Sequence, residues 1–369
     1  MENKKIFFFN NKNNLLSKKL SVKIKKNKKK NDYIILTKYN KTIFINKKKN
    51  SIMLMKMKLG LESSFFLFGD IKKKFNLKLD ISKIKKIDFL DKNGILVMLD
   101  NGDIYILTID KLIINEKKIT CDYKEKLINF FFTKYVIYFY FTNNKVRLIE
   151  RQNYNNKKDF NNMKEIKDIN GNIKDMTTNC HDIRMLFFLT DTGVYRHYQI
   201  RLDEINSCDI LISKRNDISN MKIISAQHFP EDSIIIVSNF GEIYRYSTEF
   251  DTFLFQVEEK KYIFDSFFMK NSNGHIFKVI NDEYITFFLT NKGVYVYGYN
   301  INGLLGINNS NHSYITNITK IEFFEKKNII DIVIGKTYAF ALSSNGKVYK
   351  WGKIGKDDFL YTPTEMFDL

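Results

Sequence analysis

Seven copies of one hairpin pattern recur along the chain at intervals of about 50 residues, and this repeat constrains the fold more than any other feature. Each copy has an apolar strand, a short turn and a second strand that begins with a β-branched residue. These branched residues are Ile43, Ile104, Val146, Val194, Ile243, Val294 and Val348. A regular series of this length indicates a repeat protein rather than chance alternation.

The residue after the branched position is aromatic in all but one of the copies. These aromatic residues are Phe44, Tyr105, Tyr195, Tyr244, Tyr295 and Tyr349. Arg147 occupies the same position in the remaining copy. An aromatic side chain at one fixed place predicts one fixed packing role in every repeat.

An interval of about 50 residues is longer than one hairpin requires, so each repeat has room for about four strands. Apolar alternation also precedes several hairpins, in residues 84–90, 221–227, 276–280 and 329–335, and predicts the inner strands of the same units. Helical spacing is rare by comparison. We therefore predict an all-β fold, a seven-bladed β-propeller that occupies residues 32–369 as a single domain and leaves few exposed sheet edges.

Two stretches carry a more specific signature. Residues 297–306 read YGYNINGLLG and follow the hairpin LTNKGVYV, and residues 342–352 read LSSNGKVYKWG. Both resemble the repeat of the regulator of chromosome condensation family, roughly W-G-x-N-x-x-G-Q-L-G after an L-[ST]-x-x-G-x-V-[YF] hairpin. The other five copies keep only the hairpin. Kelch and WD40 repeats fit less well, because no paired glycines precede an aromatic residue and no Trp-Asp pair ends the repeats regularly.

The resemblance implies a structural role for a set of motif residues. Gly298, Gly303 and Gly306 would permit positive φ angles and close backbone passage in the loop between two blades. The complete set is Gly102, Gly193, Gly241, Gly293, Gly298, Asn300, Gly303, Leu305, Gly306, Gly346, Trp351 and Gly352. We also expect residues 361–369 to complete the blade begun by residues 33–46, so that paired N- and C-terminal segments close the ring.

The positive charge of the chain is concentrated at its N-terminus. The formal net charge is +19, yet residues 1–58 hold 18 lysines against only Glu2 and Asp32, and the rest of the chain is nearly neutral. Residues 1–31 are therefore predicted to be a basic, low-complexity segment, which acts as a solvated tail, a targeting segment or a phosphate-binding arm. Its densest lysines, the candidates for phosphate contact, are Lys23, Lys25, Lys26, Lys28, Lys29 and Lys30.

Nothing in the sequence indicates conventional enzyme chemistry. The chain lacks a nucleophile-elbow, zinc-protease or phosphate-loop motif. The three cysteines are odd in number and widely spaced, which argues against a disulfide framework or a zinc site. Four carboxylates lie near blade turns, where acidic residues are common for geometric reasons: Asp100, Asp103, Asp191 and Glu242. We expect no catalytic residue, no metal and no cofactor.

Targeting signals are weak. The longest apolar run, residues 135–141, has the length of a strand and is too short to span a membrane. A secretory signal is poorly supported, so an intracellular protein is expected, in the nucleus, the cytoplasm or the mitochondrion. Residues 3–31 lack acidic residues, as transit peptides do, but they also lack arginine.

Two functions remain open at this stage. The first is an interaction scaffold, a monomeric propeller that binds a protein or ribonucleoprotein partner and contacts nucleic acid through its basic segment. The second is guanine-nucleotide exchange on a small GTPase, the activity that the family resemblance implies. Members of one fold family share structure more dependably than activity, and we favour the scaffold.

Overall fold

The computed structural model describes most of the chain from residue 32 onwards. The described ranges are 32–38, 41–58, 61–68, 77–110, 113–119, 123–133, 136–150, 160–161, 163–167, 169, 171–178, 185–192, 194–198, 208–212, 221–228, 232–238, 243–248, 262–263, 274, 276–282, 284–311, 313–353 and 358–369. The basic segment 1–31, Gly193, Gly241 and Glu242 lie outside them.

The described strands form seven four-stranded sheets, numbered here in chain order. Sheet 1 contains β1 (Tyr33–Lys38), β2 (Lys41–Asn46), β3 (Ser51–Lys58) and β4 (Leu61–Phe68); sheet 2 contains β5 (Ile84–Phe89), β6 (Gly94–Leu99), β7 (Ile104–Asp110) and β8 (Ile113–Ile119). Sheet 3 contains β9 (Leu127–Phe132), β10 (Val136–Phe141), β11 (Val146–Glu150) and β12 (Lys164–Glu165); sheet 4 contains β13 (Ile173–Thr178), β14 (Met185–Thr190), β15 (Val194–Tyr198) and β16 (Cys208–Ile212).

The C-terminal half continues the same pattern. Sheet 5 contains β17 (Met221–His228), β18 (Asp232–Ser238), β19 (Ile243–Thr248) and β20 (Tyr262–Ile263); sheet 6 contains β21 (Ile276–Asn281), β22 (Ile285–Thr290), β23 (Gly293–Tyr299) and β24 (Tyr314–Lys320). Sheet 7 contains β25 (Ile329–Ile334), β26 (Tyr338–Ser343), β27 (Lys347–Lys353) and β28 (Phe359–Asp368). Short 3-10 turns occur at Ile81–Lys83, Ile301–Gly303 and Glu322–Phe324.

Every sheet is an antiparallel meander in which strands adjacent in sequence pair with one another. The turn between the second and third strands always lies at the same end of its sheet, which we call the hairpin end. Residues 291–292 form this turn in sheet 6, where Thr290 pairs with Gly293. Central strands are buried where the burial of their side chains is described, as β22 and β26 show along their whole lengths, because neighbouring sheets cover both faces.

Apolar side chains between consecutive sheets form the core. One cluster joins sheets 1 and 2 around Leu54 and Val97, a second joins sheets 2 and 3 around Met98 and Phe139, and a third joins sheets 6 and 7. The first strands of neighbouring sheets also contact one another: β1 contacts β5 and β25, and contacts run from β9 through β13, β17 and β21 to β25. Sheets that pack face to face around a common axis are the architecture of a β-propeller.

The predicted register of the first repeat is wrong by one strand. In the six later copies the branched residue opens the third strand of its sheet, but Ile43 lies in β2, the second strand. The equivalent third strand is β3, whose Ile52 lies about 50 residues before Ile104, in line with the other intervals. The β1–β2 hairpin resembles the later hairpins because it has the same apolar strands around a short turn.

The predicted closure by paired terminal strands is also wrong. Strand β28 pairs with β27 of its own sheet, and β1 pairs with β2 of sheet 1, so among the described strands none is exchanged between these sheets. Sheets 7 and 1 pack face to face instead. The ring of Phe44 lies 5.7 Å from that of Phe340 and 5.2 Å from that of Phe367, with edge-to-face geometry in both pairs.

No helix within the described ranges is long and apolar enough to cross a membrane.

Candidate functional site

The loop between β23 and β24 carries the clearest copy of the family motif. The expectation that this loop lies between two blades is wrong, because both strands belong to sheet 6; the loop packs against sheet 7 instead. Gly298 has φ +124°, and a Cβ atom built on it would lie 2.1 Å from the carbonyl oxygen of Tyr284, so only glycine fits there. Gly306 has φ +68° and packs against the indole of Trp351. Positive φ angles also occur at Gly102, Gly293, Gly303, Gly346 and Gly352.

Asn300 organises this loop from inside. Its side chain is 1% exposed; the amide group donates to the carbonyls of Asn309 at 2.7 Å and Asn311 at 3.1 Å, and the amide oxygen accepts from the backbone N–H of Leu305 at 3.2 Å. One buried side chain therefore ties together three points of the loop.

Trp351 anchors the same loop to sheet 7. The indole is fully buried and donates its N–H to the carbonyl of Leu304 at 2.7 Å. Its ring contacts Phe287 of sheet 6 and Phe324 edge-to-face, and Leu305 is buried in the same cluster. The motif residues are thus engaged in joining two sheets, and their polar groups are already paired.

A belt of polar residues surrounds the inner edge of the ring. Six of the seven first strands contain a β-bulge at the equivalent place, and the residue that follows each bulge is polar. These belt residues are Lys86, Asn129, Asp175, Ser225, Lys278 and Asp331. The belt was not predicted from the sequence, although the segments that precede the hairpins place a polar residue two positions after an isoleucine or leucine in all six.

Backbone geometry explains why the belt positions are polar. The side-chain oxygens of Asn129, Asp175 and Asp331 each accept a hydrogen bond from the backbone N–H of the following residue, at 2.9, 3.1 and 2.9 Å. A bulge disturbs the ladder of hydrogen bonds, and these oxygens satisfy the amide groups beside it. The shared role is structural.

The two lysines of the belt link neighbouring sheets. Lys278 of sheet 6 forms an ion pair with Asp331 of sheet 7 at 2.5 Å, and Lys86 of sheet 2 donates to the carbonyl of Phe130 of sheet 3 at 2.5 Å. Burial, with smaller contributions from the charges of Lys85 and Lys278, lowers the pKa of Lys86 to about 8 against the opposing effect of Asp88. Charges from different sheets therefore interact around the axis.

Arg147 is the exception to the aromatic series. Its guanidinium carbon lies 4.1 Å from the ring centre of Tyr123 and 4.9 Å from that of Phe141, while the group bridges Glu125 at 3.3 Å and Glu165 at 3.1 Å. A planar cation that stacks on rings can occupy an aromatic position, provided that its charge is paired.

Two of the carboxylates that the sequence placed near blade turns, Asp103 and Asp191, bind partners close to their own turns. Asp103 forms an ion pair with Lys118 at 2.7 Å. Burial acts to raise the pKa of Asp103, but hydrogen bonds from Lys118 and Asn101 hold it below its usual value. Asp191 accepts two hydrogen bonds from Asn172, which lower its pKa. Both carboxylates fix turns.

The predicted phosphate-contacting lysines precede the first described residue. The chain enters sheet 1 at its hairpin end, where the Asp32 carboxylate pairs with Lys48 at 2.9 Å. The ring of Tyr33 then packs closely against Gly346 in the turn between β26 and β27. A Cβ atom built on Gly346 would lie only 2.8 Å from this ring. No group of three or more potential metal-ligating side chains occurs within the described ranges.

Comparisons with known proteins identify the fold. No protein-family model matches the chain, and no curated protein matches its sequence. Human WBSCR16, a structure of the regulator of chromosome condensation family, superposes with a TM-score of 0.54 at 15% identity, over 83% of this chain and 84% of that one.

Two other solved structures are more distant. Prp20p from Saccharomyces cerevisiae, described with its binding properties to Gsp1p and histones, gives a TM-score of 0.42 at 12% identity, over 90% of this chain and 76% of that one. YCF48 from Cyanidioschyzon merolae gives a TM-score of 0.44 at 12% identity, over 76% of this chain and 83% of that one. The predicted family resemblance is thus confirmed at the level of the fold, and the chain is an all-β propeller similar to human WBSCR16.

Proposed function

We propose that this chain is a non-catalytic interaction scaffold that binds a protein or ribonucleoprotein partner. In this proposal residues 32–369 form one domain, a monomeric ring in which the seven sheets are seven blades, and residues 1–31 extend from it and contact phosphate through their lysines. The protein works inside the cell and needs no cofactor.

One observation carries the proposal: the polar side chains at the motif loop, the bulges and the Arg147 position are engaged in contacts within the fold. Asn300 ties the motif loop, Asp331 caps a bulge and pairs with Lys278, and Arg147 is stacked and doubly paired. A site built for chemistry would instead present polar groups towards a substrate. A ring whose polar side chains are largely engaged in its own packing suits a protein whose role is to hold partners.

Isolation from native cells at moderate salt, followed by mass spectrometry of the associated proteins and nucleic acids, tests the proposal. A stable partner that remains through purification, with part of the association lost at high salt, is the expected result. A chain that purifies alone under all salt conditions would contradict it. Light scattering on the purified protein measures its molar mass and so tests whether it is monomeric.

Guanine-nucleotide exchange on a small GTPase is the second candidate, and the two motif stretches at residues 297–306 and 342–352 favour it through their family resemblance. An exchange factor releases bound nucleotide at sub-stoichiometric concentration, whereas a scaffold co-purifies without turnover. A GTPase that binds most tightly in its nucleotide-free form would make exchange the leading function.

A further inference from the structure

Three tyrosines are exposed side by side at the end of sheet 6 that lies opposite its hairpin end. Tyr284 is 40% exposed, Tyr299 36% and Tyr314 51%. Among the described residues, Phe277 is the one other large apolar side chain that is exposed to this extent. Exposed rings usually occur singly, so a contiguous group of them marks an interaction surface.

The three tyrosines occupy neighbouring strands and share one face of the sheet. The backbone N–H of Tyr299 donates to the carbonyl of Tyr284 at 2.9 Å, and Tyr299 pairs directly with Tyr314 of β24. Their sequence neighbours Ile285 and Ile315 pack in the cluster that joins sheets 6 and 7. Successive side chains of a strand alternate between faces, so the tyrosines project from the opposite face. We call these three residues the tyrosine ladder.

Sheet 7 indicates that the fold does not require tyrosine at these places. At the equivalent end of sheet 7, the N–H of Lys353 donates to the carbonyl of Thr337 at 2.7 Å, and Lys353 pairs with Phe359. Lys353 and Tyr299 both follow the glycine of the family motif, at its variable position. The ammonium group of Lys353 lies 5.1 Å from the centre of the Phe359 ring, whereas sheet 6 exposes three rings.

The segment that carries most of the tyrosine ladder is uncharged. No Lys, Arg, Asp or Glu occurs between Lys292 and Lys320, although these residue types make up 27% of the chain. Asp282, two residues before Tyr284, is a carboxylate and would repel phosphate. A nucleic-acid backbone is bound mainly through cations, so the surface favours a partner with a neutral contact segment.

We propose that the tyrosine ladder binds a proline-rich segment of a partner protein in the polyproline II conformation. This inference rests on the proposed scaffold function and specifies the class of its partner. Neighbouring strands lie about 4.8 Å apart, so Tyr284 and Tyr314 are separated by about 9.6 Å across the sheet. A polyproline II helix advances about 9.3 Å in three residues. Prolines at positions i and i+3 therefore reach both outer rings.

The chemistry of the two surfaces is also complementary. Proline rings are apolar and pack against aromatic rings, as in other aromatic-lined grooves that bind polyproline II segments. The carbonyls of a polyproline II helix have no internal hydrogen bonds, so they can accept from tyrosine hydroxyls. The fixed φ angle of proline also reduces the entropy that the segment loses on binding.

Fluorescence anisotropy with two labelled peptides tests the inference on the full chain. The first peptide has twelve residues and repeats Pro-Ala-Ala four times. The second has the same composition, but its four prolines alternate with alanines, so that no two prolines are three residues apart. We expect the first peptide to bind more tightly, and equal affinities would refute the argument from spacing.

A double variant assigns the binding to the tyrosine ladder. Tyr284→Thr with Tyr299→Lys places the residue types of sheet 7 at the equivalent positions of sheet 6, so the variant should fold. Its affinity for the Pro-Ala-Ala peptide should fall by about 5- to 30-fold, the range for aromatic residues at the centre of an interface. An unchanged urea midpoint from Trp351 fluorescence shows that the fold is intact.

Phe277→Ala is the matched control. It removes another exposed ring from the same sheet, but Phe277 follows Ile276, which pairs with Thr290 at the hairpin end. The affinity for the Pro-Ala-Ala peptide should not change. Equal losses in Phe277→Ala and the double variant would mean that any exposed ring binds the peptide, and the assignment to the tyrosine ladder would be wrong.

The remaining outcomes separate the inference from the function beneath it. If neither peptide binds while a stable partner still co-purifies from native cells, the scaffold stands and the inference fails. If the Pro-Ala-Ala peptide binds as expected but the chain purifies alone, the inference stands and the scaffold fails. Binding of single-stranded DNA that is lost in the double variant, without binding of either peptide, would replace prolines by stacked bases and overturn the inference.

Discussion

Asn300 holds the β23–β24 loop of sheet 6, which packs against Trp351 of sheet 7, so Asn300→Ala should loosen the junction of these two sheets. The change removes two donated hydrogen bonds and leaves the buried N–H of Leu305 without its acceptor. An unsatisfied buried donor costs about 1–3 kcal/mol, and the bonds to Asn309 and to exposed Asn311 contribute less, since water can replace Asn300 at those carbonyls. We expect a loss of about 2–4 kcal/mol in the free energy of unfolding.

The chain contains a built-in probe for this measurement. Trp351 is its single tryptophan, it is fully buried, and its indole binds the carbonyl of Leu304 in the same loop. Tryptophan fluorescence during urea denaturation therefore reports on the junction of sheets 6 and 7. The Asn300→Ala variant should show a transition at lower urea and a red-shifted emission in the folded state.

Asn311→Ala is the control for the loop itself. Asn311 is exposed, and its backbone rather than its side chain makes the hydrogen bonds to Asn300 and Asn309. Its replacement should change stability by less than about 0.5 kcal/mol. Equal urea midpoints for Asn300→Ala and Asn311→Ala would refute the reasoning. The buried hydrogen bonds of Asn300 would then add no more stability than an exposed asparagine of the same loop.

Three further predictions concern the strained, charged and exceptional positions. Gly298→Ala forces a Cβ atom towards the carbonyl of Tyr284 at φ +124° and should lower the urea midpoint by more than the same change at Gly94, where the nearest atoms belong to the Asp91 side chain. Burial lowers the pKa of Lys86 from 10.5 to about 8. Between pH 8 and pH 10.5 the unfolded chain therefore binds more protons than the folded chain, and the free energy of unfolding should rise with pH. The Lys86→Met variant should lose this rise in thermal melts. Arg147→Ala should destabilise by about 1–3 kcal/mol because it removes a buried guanidinium together with its ring contacts, whereas an aromatic residue suits this position, so Arg147→Tyr should cost less.

The sequence predicted the strands well because the repeats are periodic. Third strands could be recognised by a branched residue followed by an aromatic, and Tyr105 and Tyr349 both pack against the preceding sheet. Arg147 fits the same rule once its stacking on Tyr123 is seen. Such packing roles follow from position in a repeated unit and need no knowledge of distant contacts.

The errors share one physical cause. The β1–β2 and β2–β3 hairpins are both apolar strands around short turns, and local pattern alone does not distinguish them. When residues 33–46 are read as the second and third strands of the first blade, the remaining strands of that blade must come from elsewhere in the chain. Residues 361–369 were therefore assigned to it. In the structure β3 and β4 supply them, so sheet 1 is complete and closure needs only side-chain packing. The bulge belt was missed for a related reason, since a bulge is defined by pairing with β6 or β26 rather than by its own residues.

Sheet 7 packs against a neighbouring sheet on both of its faces. Trp351 and its neighbours hold one face to sheet 6, and Phe340 and Phe367 hold the other to Phe44 of sheet 1. The β26–β27 turn therefore projects from a rigid base, with Tyr33 packed on Gly346. The same packing thus joins the described N- and C-terminal segments of the chain.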